Sequence, residues 1–226
     1  MADNYLERRM EELRAPRNST FRPQTQRIGL GWSLPKLRVI IIGRGDVVDT
    51  SIAEGFADAG CRVSLISDNT DVGNELARKG IRFCHVDTPD NETWHDSMTQ
   101  TLAAWRDTDV VICHTLASEQ QFAIAKAWSE RRKQFPAVSD YGGRFISILA
   151  PADQPATQEL TDILRPLRIT FNKIVVPKEI DTAATYERRK RAIAVIVRTC
   201  QYLALPDSAA ITAALLPITV LQDGIL

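Results

Sequence analysis

The stretch LRVIIIGRGDVVDTSIAEGFADAGCRVSLIS, residues 37–67, decides the fold of this chain. Its first apolar run ends at Gly43, and a turn that contains Gly45 follows. An amphipathic stretch then continues to Gly60, before a second apolar run. Runs that are apolar at nearly every position are typical of parallel strands buried on both faces. The stretch therefore predicts a strand, a turn, a helix and a second strand, the order in which a helix amino terminus faces a pyrophosphate.

The same alternation continues along the rest of the chain. Strands are predicted at Leu37–Ile42, Arg62–Ile66, Arg82–Val86, Val110–Cys113, Phe145–Leu149, Ile169–Val176 and Leu215–Leu221. Helices are predicted at Thr50–Ala59, Val72–Lys79, Thr93–Ala104, Glu119–Lys133, Thr157–Leu164 and Ala183–Leu203. Seven strands that alternate with six helices predict an α/β fold, a three-layer doubly wound parallel sheet of the Rossmann type.

The segment before this alternation is different. Residues 3–14 have apolar side chains at helical spacing, and residues 17–36 are polar and irregular, with several prolines and glycines. We therefore expect an N-terminal helix and extended arm over 1–36 and one domain over 37–226. The arm is expected to pack on the domain or on a neighbouring subunit.

Composition excludes several classes of function. The 226 residues include 28 basic and 28 acidic side chains, so the basic excess of a nucleic-acid-binding protein is missing. No apolar run reaches the length of a membrane span. The charged first residues do not resemble a secretory leader, and we expect a cytoplasmic protein that binds neither nucleic acid nor membranes.

The cysteines and histidines are scattered rather than clustered. Cys61, Cys84, Cys113 and Cys200 form no C-x-x-C pair. We expect reduced core cysteines and no metal site.

The order of these segments resembles the short-chain dehydrogenase/reductase family. IAEGFADAGCRVSLIS resembles the family's first helix and second strand, and HVDTPD resembles its acidic motif after the third strand. DTDVVICHT, GGRFISILA and LRPLRITFNKIVVP occupy the places of the next three strands. The last segment resembles the final helix and the closing "VDGG". The resemblance covers roughly residues 37–224 and implies an NAD- or NADP-binding oxidoreductase fold that forms dimers or tetramers.

The family's glycine-rich turn, T-G-x-x-x-G-x-G, is only partly present. Ile42, Gly43, Val47 and Asp49 stand at its threonine and its three glycines. A valine Cβ obstructs close approach to a pyrophosphate, and an aspartate near a phosphate opposes it by like charge. The favoured interpretation of Asp46 and Asp49 is helix capping and stabilisation of the helix dipole.

Five residues are the candidates for cofactor contacts if a dinucleotide binds. Gly43, Arg44 and Gly45 lie in the turn, where the Arg44 cation offers a phosphate partner. Asp68, after the second strand, takes the place of the acid that holds the adenosine ribose, or it is simply a turn residue. By resemblance, Asp87 takes the place of the family's adenine-contacting aspartate.

The family's catalytic serine, tyrosine and lysine have no counterparts at the expected places. The serine position falls at Leu149 or Ala150. The following segment, APADQPATQELTDILRPL, has neither tyrosine nor lysine, and Gln154 is near the lysine position. The remaining candidates are His114, at the predicted carboxyl edge of the sheet, and the Tyr186 and Lys190 pair, which lies after the sixth strand.

Three functions are consistent with these residues. The first is a non-catalytic, oligomeric scaffold or regulatory subunit of the dehydrogenase fold. The second is an NAD(P)-dependent oxidoreductase with an altered turn and an unusual proton donor. The third is a protein that binds another small molecule at the carboxyl edge of the sheet.

Overall fold

A computed structural model describes residues 34–135, 142–150, 157–176 and 185–218. The strands are β1 Arg38–Ile42, β2 Arg62–Ser67, β3 Arg82–His85, β4 Val110–His114, β5 Gly143–Leu149, β6 Ile169–Val175 and β7 Leu215–Pro217. The helices are α1 Val47–Asp58, α2 Gly73–Arg78, α3 Asn91–Trp105, α4 Ser118–Gln134, α5 Thr157–Leu164 and α6 Tyr186–Ala204. Short 3₁₀ segments occupy Thr70–Val72, Arg165–Leu167 and Pro206–Ala210. The predicted helix over 3–14 and residues 1–33 of the predicted arm lie outside the described residues, as does Gln154.

The seven strands form one parallel sheet in the order β3-β2-β1-β4-β5-β6-β7. The chain runs outward from β1 to β3 and then returns to the other side of β1 with β4. This reversal places the switch point between β1 and β4, where Ile42 is aligned with Cys113. Ligands of doubly wound sheets bind beyond the carboxyl ends of the strands at such a point. The predicted doubly wound α/β sheet is confirmed.

The alternation of side chains along β1 divides the core into two halves. Val39 and Ile41 belong to a cluster with residues of α1, α2 and α6. Ile40 and Ile42 face the other way, into a cluster with residues of α3, α4 and α5. All four side chains are fully buried. A strand buried on both faces has to be apolar at every position, which is the pattern that predicted β1.

The first helix begins earlier than predicted. It starts at Val47 rather than Thr50, because Asp46 caps it and the two valines that follow take helical geometry. Val48 is buried against the core, whereas Val47 is 44% exposed. A prediction that follows the spacing of buried apolar residues misses a first helical turn in which an apolar residue is exposed.

The four cysteines are free, and Cys113 and Cys200 are buried. Cys61 and Cys84 are half-buried rather than part of the core, and the reduced state of the thiols stays a prediction. None of the helices in the described part of the chain is both long enough and apolar enough to cross a membrane.

Candidate functional site

The candidate site lies at the switch point of the sheet, where β1 ends at Ile42 and β4 ends at His114. The alignment of Ile42 with Cys113 places the next residues of the two strands, Gly43 and His114, side by side at the carboxyl edge. The first turn of α1 lies over this edge, and its Asp49 side chain contacts His114. The consecutive elements β1 and α1 therefore meet the end of β4, where His114 lies 65 residues after Asp49.

Asp46 caps the amino terminus of α1. Its Oδ1 accepts the backbone N–H of Val48 at 2.8 Å and that of Asp49 at 3.0 Å. Backbone N–H groups in the first turn of a helix have no partner within the helix, so a side-chain oxygen at the N-cap stabilises it. The capping interpretation of Asp46 is confirmed.

Asp49 has a further role that its place in the first turn did not reveal. Its side chain is fully buried. Oδ2 accepts the backbone N–H of Gly45 at 2.9 Å, and Oδ1 lies 2.9 Å from Nδ1 of His114. His114 is itself only 6% exposed. One carboxylate thus links the β1–α1 turn to the end of β4.

Burial and hydrogen bonding act on Asp49 in opposite directions. Removal from water raises the pKa of the Asp49 carboxyl, and this effect is larger than the opposing effects of His114 and of the Gly45 N–H. The nearby Asp46 carboxylate adds to the rise. When Asp49 is ionised, Nδ1–H of His114 is the donor, since a carboxylate accepts only.

The glycine at position 43 is required by Asp49. A Cβ built on Gly43 would collide with the Asp49 carboxylate. Gly45 has a positive φ of 68°, a conformation that glycine adopts without strain. Both glycines of this turn therefore serve its own internal packing. In a dinucleotide-binding turn, such glycines let the backbone approach the pyrophosphate.

These contacts change the electrostatic character of the turn. The backbone N–H groups of Gly45, Val48 and Asp49 are the type of donor that binds a phosphate at a helix amino terminus. Here each of them donates to a carboxylate of the same turn. A phosphate group would meet two carboxylates where it needs unoccupied donors.

Structure comparison finds the same architecture in known dehydrogenases. A hydroxysteroid dehydrogenase from Escherichia coli superposes with a TM-score of 0.66 at 14% identity, over 84% of this chain and 98% of that chain. A short-chain dehydrogenase/reductase from Serratia marcescens gives 0.61 at 18% identity, over 83% and 98%. A 7α-hydroxysteroid dehydrogenase complexed with NADH and 7-oxo glycochenodeoxycholic acid gives 0.59 at 14% identity, over 82% and 93%.

The chain has the fold of the short-chain dehydrogenases/reductases. In sequence, no protein-family model and no curated protein matches it.

By the sequence resemblance, Asp49 takes the place of the third glycine of the cofactor turn, and in the structure His114 ends β4. The sequence analysis named the two residues separately. It did not indicate that they form one hydrogen-bonded pair. An acid at the place of the third glycine, together with a histidine at the end of the fourth strand, is the sequence pattern that would have predicted the pair.

The other predicted cofactor residues lie on the surface. Arg44 and Asp68 are exposed. Asp87 is 94% exposed and its Oδ1 lies 3.1 Å from Nε2 of His85. Asn69, just after β2, also contacts the turn, and its Nδ2 donates to the Gly45 carbonyl at 3.4 Å. Sequence analysis did not single out Asn69.

The structure separates the candidate catalytic positions from one another. Leu149 is buried at the end of β5 and Ala150 follows it. Tyr186 is the first residue of α6 and is 76% exposed. Lys190 is exposed one turn later. Tyr186 and Lys190 therefore lie on the exposed first turns of α6, away from the turn that holds Asp49.

Asp46, Asp49 and His114 also satisfy the distance requirement of a metal site. One ligand atom from each lies within 4.8 Å of the other two. The atoms nevertheless already have partners, because Asp49 Oδ1 bonds His114 and Asp46 Oδ1 caps the helix. The expectation that the chain holds no metal stays a prediction.

Proposed function

We propose that this chain is a non-catalytic protein of the short-chain dehydrogenase/reductase fold, a scaffold or regulatory subunit that works as a homo-oligomer. It does not use NAD or NADP. The observation that carries the proposal is the pair of carboxylates that occupies the N–H donors of the β1–α1 turn.

Electrostatics supports this proposal. To bind a pyrophosphate, the turn would have to break the Asp49 hydrogen bonds to Gly45 and His114 and place a second anion beside a buried carboxylate. A buried charge that loses its partners is strongly destabilising. The two acids also cancel the favourable field that a helix amino terminus offers to a phosphate.

The catalytic positions support it independently. Reduction of a carbonyl in this family depends on a serine, a tyrosine and a lysine, and the corresponding positions of this chain lack all three. An altered cofactor turn alone would still leave a proton donor in place. This chain departs from the family both in the turn and at the proton-donor positions, and together the two departures favour a non-catalytic protein.

An oxidoreductase with an altered turn is the second candidate. The exposed Arg44 guanidinium next to the turn favours it, since a cation there offers a phosphate partner. In that case His114 or Tyr186 would donate the proton. A small molecule other than a dinucleotide, bound at the carboxyl edge of the sheet, is also compatible with the proposed function.

Isothermal titration calorimetry with NAD, NADH, NADP and NADPH tests the proposal. We expect no binding by the full chain and none by the Arg44→Ala variant. The Val47→Gly/Asp49→Gly variant, which restores two glycines of the turn, is the matched comparison and is expected to gain affinity if it folds. Micromolar binding by the full chain, lost in Arg44→Ala, would favour the oxidoreductase instead.

A further inference from the structure

The edge of the sheet that β2 and β3 form has opposite charges at its two ends. β2 begins at Arg62 and is followed by Asp68. β3 begins at Arg82 and is followed shortly afterwards by Asp87. All four side chains are exposed. Because the two strands are parallel neighbours, the arginines lie at the amino edge of the sheet and the aspartates beyond its carboxyl edge.

Helix α3 repeats this polarity. Its amino end is capped by Asp90, which accepts the backbone N–H of Thr93 at 2.8 Å, and Arg106 follows its last turn. The Arg62 guanidinium lies 4.7 Å from the ring centroid of Trp105, so the carboxyl end of the helix meets the amino edge of the strands. We call the exposed residues Arg62, Arg82 and Arg106 the basic end, and the exposed residues Asp68, Asp87 and Asp90 the acidic end.

Local structure explains the charges of α3 but not those of the strands. A helix favours an acid at its amino end and a cation at its carboxyl end. A sheet has only a small net dipole, so it gives no such reason for an arginine at the start of each strand and an aspartate after its end. The strand charges therefore call for a partner outside the local structure.

Within the described residues, the basic end has no carboxylate partner. The two acids buried at the same edge, Asp107 and Asp109, are each paired with another arginine. At the acidic end, Asp87 contacts His85, whereas Asp68 forms no ion pair with a described residue. Each end therefore retains charge that a molecule of opposite charge would neutralise.

The two ends are too far apart to neutralise each other. β2 has six residues, which separates its ends by about 20 Å. The screening length in physiological salt is about 8 Å, well below this distance. The whole chain has 28 basic and 28 acidic residues, so net repulsion does not oppose the approach of a second copy.

We propose that the basic end of one copy docks on the acidic end of the next copy. Both ends are carried by the same three elements, and β2 and β3 lie about 4.8 Å apart at each of them. A copy displaced along the strand direction would set the arginine of each strand against the aspartate of the corresponding strand. Arginine suits this contact, because its guanidinium donates two parallel hydrogen bonds to a carboxylate.

Such a contact joins two different surfaces. Each copy added leaves one free basic end and one free acidic end, so the assembly grows as an open chain. The inference rests on the homo-oligomer of the proposed function. A closed dimer formed through another surface would overturn the inference and leave the proposed function intact. Binding of NADH in the calorimetric titration would overturn the proposed function and leave the inference intact.

Sedimentation velocity of the full chain, over a range of protein concentrations, is the first test. At low salt, the average mass is expected to rise steadily with concentration and to show no fixed end point. Salt of about 1 M, where the screening length is about 3 Å, is expected to disperse the chains. Mass that stays at the monomer at low salt would overturn the inference, as would an assembly that salt does not weaken.

Charge-reversal variants assign the contact to the two ends. Arg62→Glu/Arg82→Glu gives a molecule with two acidic ends, and Asp68→Arg/Asp87→Arg gives one with two basic ends. Each alone is expected to self-associate at least about tenfold more weakly, because like charges now meet. An equimolar mixture is expected to recover the chains, since acidic and basic ends then alternate. A mixture that stays as weak as its components would overturn the inference.

Arg191→Glu/Arg198→Glu is the matched control. It makes the same change in net charge at two exposed positions of α6, on the opposite face of the sheet from α3. It should assemble like the unaltered chain, and circular dichroism checks that every variant is folded. Heparin is the probe for a different occupant. If heparin binds through Arg62 and Arg82 while the chain does not self-associate, the basic end serves a polyanion and the inference is overturned.

Discussion

At the scale of single residues, the carboxylate of Asp49 decides what the switch point can bind. It is fully buried, and it joins Gly45 on one strand-to-helix turn to His114 on the neighbouring strand. Two hydrogen bonds stabilise this buried carboxylate. Removing the carboxylate would leave a buried N–H donor without its acceptor, which destabilises the fold.

Asp49→Ala is therefore expected to lower the free energy of unfolding by about 3 kcal/mol, because it leaves the buried Gly45 N–H without its acceptor and removes the hydrogen bond between Asp49 and His114. Urea denaturation measures the loss. Glu75→Ala is the control, since its ion pair with Lys79 is exposed to solvent and should contribute little to stability. In a double-mutant cycle, Asp49→Ala and His114→Ala should cost less together than the sum of the two, and strict additivity would contradict the pair.

The raised pKa of Asp49 predicts a pH dependence with a definite sign. Because the folded state holds the Asp49 proton more tightly than the unfolded chain, the stability from this group is fully present below the unfolded pKa. That stability is lost as the pH rises through the folded pKa.

Relative to Asp49→Asn, which does not titrate at this position, the unaltered chain should lose stability as the pH rises from about 4. Urea denaturation at a series of pH values measures the difference. If the unaltered chain instead gained stability relative to Asp49→Asn as the pH rises over this range, the raised pKa of Asp49 would be contradicted.

At the scale of elements, the N–H groups of the β1–α1 turn donate to carboxylates of the same turn and are not free to bind a ligand. Asp46 caps the helix, Asp49 fills the space beside Gly43, and Asn69 bonds the turn from the β2 side. Such a turn is expected to be rigid without any ligand.

The fit between Gly43 and Asp49 is testable by second-site suppression. Gly43→Ala should destabilise the fold by about 2 kcal/mol, because the added methyl meets the Asp49 carboxylate. In the Asp49→Gly background, the same Gly43→Ala change should cost clearly less. Thermal unfolding of the four proteins measures both effects. An equal cost in the two backgrounds would show that the carboxylate does not fill this space.

At the scale of the whole molecule, the two core layers protect the buried thiols on both sides of the sheet. Burial raises the pKa of the Cys113 and Cys200 thiols, so the reactive thiolate is scarce as well as inaccessible. In the folded protein, a thiol reagent such as dithionitrobenzoate should modify only Cys61 and Cys84, and those slowly. Mass mapping identifies the modified residues. Fast modification of Cys113 would show that the switch point opens to solvent.

The sheet was predictable from the sequence because its signal is local and repeated. Residues 37–42 and 110–113 are apolar at nearly every position, and a buried parallel strand produces that pattern. The first turn of α1 was placed too late, since the exposed Val47 breaks the apolar period.

The pairing of Asp49 with His114 was not predictable in the same way. The two residues are separated by 65 positions, and only the return of the chain from β3 to β4 brings them together. Sequence spacing places each residue at the end of its own element. It does not specify which side chains become hydrogen-bonded to each other at the carboxyl edge of the sheet.

An NMR titration of the backbone amides of Gly45, Val48 and Asp49 with NADH shows whether the carboxylates keep a dinucleotide out of the β1–α1 turn. These N–H groups already donate to the carboxylates of Asp46 and Asp49. Their chemical shifts are expected to stay constant up to millimolar NADH. Shifts of these three amides that saturate at micromolar NADH would contradict it.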